Sequence, residues 1–200
     1  CDQERASFAD PQNIFLHKMP IRRLQAEAIR DSILAFSGRI DRKLFGPSIP
    51  IYRTAFMTGR GGKKTGPLDG AGRRSIYGSV YRNFLSPFML AFDQPAPFGT
   101  KGKRSVSNVP AQSLALMNDP FVISQCKMMG ENIFQAKKLK SESIGNLFEM
   151  ITGKPASQAT QEKILAFLET QTKSHESLTK EDWADLAHVL INSKGFLFLN

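Results

Sequence analysis

The sequence predicts a mainly α-helical domain, an irregular set of helices with long basic loops and at most a few short strands. Three observations predict it. Apolar residues recur at three- and four-residue steps in several segments, most regularly beyond residue 110. Helix-starting and helix-stopping residues flank those segments. Glycine, proline and positive charge crowd the stretches between them.

Residues 1–21 read as polar and mixed. Asp10-Pro11-Gln12-Asn13 predicts a turn, and Ile14, Phe15 and Leu16 an apolar anchor beside it. Residues 22–44 predict a helix through Leu24, Ala28, Ile29, Ile33, Phe36 and Ile40, stopped by Gly46 and Pro47. Glu27 and Asp31 offset Arg23 and Arg30 within it. Residues 46–72 predict irregular chain. The glycine-rich run at 59–67 could form an anion-binding nest, but it lacks the P-loop spacing of glycine, lysine and hydroxyl. Tyr77, Tyr81, Phe84 and Phe88 have helical spacing that Pro87 interrupts. With Phe92 and Phe98 they read as core rather than as a ligand-stacking platform. Residues 88–93 are also compatible with a short strand. A loop with the basic cluster Lys101, Lys103 and Arg104 follows.

Beyond it the helical pattern is regular. Ser107 or Asn108 can cap a helix with Pro110 in its first turn, and Leu114 and Met117 continue its periodicity. Asp119 caps and Pro120 starts the next, which runs to Ala136 with Val122, Cys126, Met129 and Ile133 inward. Residues 141–152 bury Ile144, Leu147, Phe148 and Ile151 before Gly153. Residues 158–172 use Ile164, Leu165 and Leu168. The last helix begins at a capping box of Thr179 and Asp182, and Trp183, Leu186, Ala187 and Leu190 form its buried face. No repeat of fixed period is present.

The 200 residues suit one domain, read as a basic, loop-rich half at 1–110 and a helical half at 111–200. The net charge of +9 is concentrated in the first half, which holds 18 Lys and Arg against 8 Asp and Glu. Every arginine lies at or before Arg104, so a partner bearing carboxylates, phosphates or sulfates would meet that half. No apolar run is long enough to span a membrane. The chain begins at Cys1 without Met, which reads as a fragment boundary or, alternatively, as the lipid-bearing cysteine of a lipoprotein. Cys1 and Cys126 belong to no Cys-x-x-Cys pair and no haem-attachment signature, although a bridge between them is compatible with the sequence.

His17, His175 and His188 lack zinc-ligand spacing, and no metal site is expected. His188 reads as a satisfied, half-buried histidine. No nucleophile elbow or Cys–His constellation stands out. Asp93 is the foremost carboxylate, because it ends an apolar segment and precedes a loop. Asp93 and Asp119 would do acid–base work only if folding joins them; pairing with arginines is the other role open to them. The clusters Arg73-Arg74 and Lys101–Arg104 admit a nucleic-acid reading, but no recognition motif accompanies them.

Five ordered blocks carry a resemblance: residues 23–41, 73–77 (Arg-Arg-Ser-Ile-Tyr), 92–95 (Phe-Asp-Gln-Pro), 109–121 and 183–196. Together they resemble the planctomycete-type C-terminal domain of unknown function, the PSD-type domain DUF1553, over nearly the whole chain. The resemblance implies a C-terminal piece of a larger exported protein, periplasmic or at the cell surface, with an upstream cytochrome c-type domain. It implies haem c for that upstream domain and no cofactor for this stretch. The closing block departs from the family's Asn-Ser-x-Glu-Phe, since Gly195 stands where glutamate is common. Val109 and Ala111 replace the usual threonine and leucine of the central block.

The function expected from residues and resemblance is a non-catalytic binding or scaffolding domain that contacts its upstream neighbours and an anionic polysaccharide. The alternative is an oxidoreductase or polysaccharide-processing domain working with the cytochrome; nucleic-acid binding is a third reading. The candidate site residues are Arg73, Arg74, Asp93, Arg104, Gln112, Asn118 and Asp119, polar groups that are costly to bury without partners.

Overall fold

The computed structural model describes residues 3–54, 57, 65–171 and 178–199. Among them it holds nine α-helices and one two-stranded antiparallel pair, a mainly helical and irregular domain. Cys1, His175 and most of the 59–67 run lie outside the described residues.

Helix α1 (Gln3–Ala9) leads into a hydrogen-bonded loop, and strand β1 (Arg22–Arg23) follows. The expected apolar anchor is not buried: Ile14, Phe15 and Leu16 are 69%, 84% and 74% exposed. The loop's backbone bonds turn these three side chains outward. Strand β1 pairs at the far end of the chain with β2 (Phe198–Leu199), Arg22 opposite Leu199 and Arg23 opposite Phe198.

Helix α2 (Ala26–Phe36) is shorter than its periodicity predicts. It ends at Ser37 because Gly38 takes a left-handed φ of 73°, which lets the Arg39 N–H bond back to Leu34 O at 2.9 Å. At its other end β1 takes residues 22 and 23 out of the helix. Ala26, Ile29, Ile33 and Leu34 are buried, and each of the three larger side chains contributes about 1.5–3 kcal/mol. Leu24, Phe36 and Ile40 pack partly against them.

The chain then runs irregularly, with single-turn 3₁₀ segments at Gly70–Gly72 and Ser75–Tyr77. The aromatic stretch forms no continuous helix. Pro87 starts rather than interrupts one: α3 (Pro87–Ala91) has Pro87 in its first turn and Ser86 as its cap. This replaces the strand reading of 88–93. Phe84, Phe88 and Phe92 are core, whereas Phe98 is 66% exposed.

Helix α4 (Pro110–Asn118) starts at Pro110 as expected, but its cap is Val109, without a side-chain bond. Ser107 is engaged elsewhere, with Asp93. The helix turns Gln112 and Leu116 inward, leaving Leu114 and Met117 exposed. Helix α5 (Pro120–Ala136) is capped by Asp119, which accepts from Phe121 N at 2.9 Å. Helices α6 (Lys140–Thr152) and α7 (Gln158–Gln171) follow. Helix α8 (Lys180–Ile191) opens with the Thr179–Asp182 capping box, both reciprocal bonds present. A last turn, α9 (Lys194–Leu197), leads into β2.

Helices α5 and α8 pack along their length, and a Cβ added at Gly130 would meet Lys180 and Ala184 of α8. The core around them is continuous, from Ala26 and Ile29 through Phe92, Leu116 and Met129 to Trp183, Leu186 and Phe196.

Candidate functional site

Helix α2 presents two carboxylates one turn apart, Glu27 and Asp31, with Arg30 between them. Residues 49–54 and 67–89 fold over that face and leave a cleft of about 760 Å³. Pro120 and Phe121 close one side with Asp119. Ile49, Ile51, Tyr52, Ile76 and Tyr81 supply apolar and aromatic walls.

The charged floor is cross-linked over long sequence distances. Arg30 Nη2 donates to Asp69 O at 2.8 Å, and its Nη1 donates to Arg73 O at 3.0 Å and Ser75 Oγ at 3.1 Å. Asp31 Oδ1 accepts from Ser75 N and from Ser75 Oγ, both at 2.7 Å. Burial pushes the Arg30 guanidinium below its ordinary range, opposed by Asp31 and Asp69. Arg30 also lies 5.5 Å over the Phe121 ring.

Of the expected site residues, four line this cleft: Arg73, Arg74, Arg104 and Asp119. Arg73 is 8% exposed and donates to Lys43 O and Phe45 O, each at 2.6 Å, with its guanidinium 3.9 Å over the Tyr77 ring. It staples the segment after α2. Arg104 reaches across the cleft to bond Glu27 with both Nη atoms, at 2.7 and 2.9 Å. Arg104 above all holds the Glu27 carboxyl below its usual range, against the opposing effect of burial. Glu27 therefore pairs with Arg104 and not with Arg23, its expected helical neighbour. Arg74 stands differently. Its side chain is 45% exposed and its nearest carboxylate, Asp31, lies 3.9 Å away, an ion pair without a hydrogen bond's closeness. Burial pushes the Asp119 carboxyl up, against the opposing effect of the Phe121 N–H that it accepts.

The other three lie elsewhere. Asp93 does not line the cleft. It meets Arg23 Nη2 as an ion pair and accepts from Ser107 N at 2.8 Å and Ser107 Oγ at 2.9 Å. Gln112, 3% exposed, donates to Ser107 O and Oγ. Asn118 donates to Leu114 O of its own helix. The structure therefore does not join Asp93 and Asp119 at the cleft. Asp31, Arg30 and Ser75 were missed as site residues. For Asp31 and Arg30 the signal is the alternation of acid and base on the opening block, readable only as helix-surface pairing; Ser75, in the Arg-Arg-Ser-Ile-Tyr block, carries no such signal.

A smaller hollow of about 290 Å³ between α5 and α8 holds Cys126, Asp185 and His188. Burial, helped by the nearby Asp185 charge, pushes the Cys126 thiol up to about 12, which disqualifies it as a nucleophile near neutrality. His188 Nε2 meets Leu116 O at 2.9 Å, a satisfied, half-buried histidine. Ser7, His17 and Asp10 line up by type as a nucleophilic triad. However, Ser7 Oγ lies 3.4 Å from the ring, and His17 Nδ1 lies 3.5 Å from Asp10 Oδ2, within ion-pair range but without a hydrogen bond. The carboxylate is engaged by two backbone N–H groups, so the cluster fastens a loop. Among the described residues no three His, Cys, Asp or Glu side chains could hold a metal ion. Haem c does not fit this chain's described thiol, since Cys126 is buried and followed by Lys127, Met128 and Met129 rather than by an attachment motif.

Residues 1–168 match the family PSD1, described as protein of unknown function (DUF1553). No curated protein and no solved structure matches the chain.

Proposed function

The chain belongs to the PSD1 family of proteins of unknown function (DUF1553), and on that premise we propose that its cleft binds a short stretch of anionic polysaccharide without acting on it. The observation that carries the reading is Arg74. Arg74 and Arg104 are both nearly half exposed, but Arg74 has only a loose ion pair, whereas Arg30, Arg73 and Arg104 are held in close bonds. A guanidinium in that state can take a carboxylate or sulfate in a planar, two-bond contact. Tyr52 also lines the cleft at 41% exposure, a surface on which a sugar ring can stack. A volume of about 760 Å³ suits a few sugar units. We place this binding outside the cytoplasm, with haem c on an upstream domain. That part rests on the resemblance of the sequence blocks.

Asp119 favours a second reading, polysaccharide processing. A cleft carboxyl pushed up by burial is suited to give a proton. Turnover of an acidic glycan, abolished in Asp119→Asn, would replace the binding reading.

The test is binding of polygalacturonate, a sulfated glycan, a neutral glucan and short duplex DNA at low and high salt. Acidic glycans should bind, weaken with salt, and weaken about tenfold more in Arg74→Ala. Binding of DNA alone, of none of the four, or indifference to Arg74→Ala would overturn the proposal.

A further inference from the structure

The segment from Phe8 to Ile21 exposes large apolar side chains in a way no other described stretch does. Phe8 is 90% exposed, Phe15 84%, Leu16 74%, Ile21 71%, Ile14 69% and Met19 58%. Six such residues within fourteen positions are a concentration of exposed apolar side chains along the chain, not the single scattered ones that are normal on a protein surface.

The loop is built rather than loose. Asp10 is buried, and its two carboxylate oxygens accept from Ile14 N at 2.9 Å and Phe15 N at 2.8 Å. The Phe15 N–H above all holds that carboxyl below its usual range. Asn13 bonds Lys18 twice, Nδ2 to Lys18 O at 2.8 Å and Oδ1 from Lys18 N at 3.1 Å. Asn13 and Leu16 both take left-handed φ, 55° and 53°. For asparagine this is ordinary; for leucine it is strained. The backbone thus holds three consecutive apolar side chains, Ile14 to Leu16, in solvent instead of letting them fold back.

Exposed cations accompany and flank the same segment. Arg5, Lys18 and Arg22 are exposed, and the one acidic residue between Arg5 and Arg23 is the buried, bonded Asp10. Exposed aromatic and aliphatic side chains flanked by bare cations match an anionic lipid surface. The apolar tips enter the headgroup–acyl boundary, and the cations meet the lipid charge. No described helix is long and apolar enough to cross a membrane.

We propose that the loop Asp10–Ile21 is a hydrophobic spike that docks this domain on an anionic bilayer surface. The proposal is independent of the cleft and of what the cleft binds.

The test is co-flotation of the full chain with vesicles of phosphatidylcholine alone, or mixed with phosphatidylserine. Three variants are compared: Phe15→Ser with Leu16→Asn, Lys18→Gln with Arg22→Gln, and Leu139→Ser, the last altering an apolar residue 75% exposed elsewhere. All altered side chains are exposed, and unchanged melting confirms that each variant folds. Partition should favour the phosphatidylserine vesicles, fall at least about tenfold in each loop variant, and stay unchanged in Leu139→Ser. Absence of flotation, or flotation indifferent to the loop changes, overturns the proposal. So does a soluble dimer that Phe15→Ser with Leu16→Asn dissociates while vesicles remain unbound, because the spike is then a protein interface.

Discussion

Arg23 and Asp93, seventy residues apart in the chain, meet as an ion pair whose arginine side chain is 3% exposed and whose carboxylate is 18% exposed. The pair fixes the end of α3 against β1, and through Ser107 it fixes the start of the turn before α4. Asp93 holds a left-handed φ of 63° to make these bonds.

Removing the carboxylate should therefore be severe. Asp93→Ala leaves a buried guanidinium without its counter-ion and Ser107 without its acceptor, and should lower stability by about 3 kcal/mol or more in urea unfolding. Asp93→Asn suits the backbone but not the charge. Burial alone pushes the Asp93 carboxyl up, but Ser107's N–H and hydroxyl together with Arg23 outweigh it and leave it below the usual range. The folded acid is thus the stronger one. Its contribution is present above the unfolded value and lost as pH falls through the folded one. Wild-type stability should decline below about pH 4, and the decline should be shallower in Asp93→Asn.

The Arg104–Glu27 contact should behave oppositely. Its side chains are 41% and 30% exposed, so Arg104→Ala should change global stability by less than about 1 kcal/mol. It is nevertheless the contact joining the 94–109 loop to α2 across the cleft. Trypsin should cut at Lys101 and Lys103 faster in Arg104→Ala than in wild type, with melting nearly unchanged. Equal cleavage rates would show that the loop is held by something else.

These two contacts show what was legible in the sequence. Beyond residue 110 the signals are local. Asp119-Pro120 starts α5, Gly153 ends α6, and Thr179 with Asp182 opens α8, each within four residues of what it controls. The front half is set by bonds across the chain, such as Arg30 to Asp69 O and to Arg73 O, 39 and 43 residues apart. Periodicity carries no information about such pairs. For the same reason Arg73, Arg74, Arg104 and Asp119 could be named as one polar set with Asp93, although folding places Asp93 in a different node. The Ile14–Leu16 run misled because composition reports hydrophobicity and not direction.

Asp119 both caps α5 and carries a charge that burial disfavours. Asp119→Ala removes the cap and should lower stability by about 1 kcal/mol. Asp119→Asn keeps an acceptor for Phe121 N without the charge, and at neutral pH it should be at least as stable as wild type. The sign of the pH effect follows from the raised folded value. The folded state binds this proton more readily than the unfolded one. Asp119 therefore disfavours folding above its folded value, and this penalty fades as pH falls through it. Chemical denaturation of the three proteins at neutral and mildly acidic pH checks both statements.

Two glycines in neighbouring helices should respond to alanine with opposite signs. In a helix interior alanine is favoured over glycine by about 1 kcal/mol. At Gly145 in α6 an added Cβ meets nothing within 4 Å, so Gly145→Ala should gain up to that amount. At Gly130 in α5 the same Cβ would press into Lys180 O, and would lie 2.7 Å from Ala184 N and 2.9 Å from Ala184 Cβ. These are mostly backbone atoms of the opening turns of α8, which the Thr179–Asp182 box holds in place, so a rotamer change cannot relieve the clash. Overpacking of this kind costs about 1–3 kcal/mol. It should exceed the helical gain and leave Gly130→Ala net destabilised. Urea midpoints for the two variants decide the matter. A stabilised Gly130→Ala would mean that α5 and α8 lie farther apart than the structure places them.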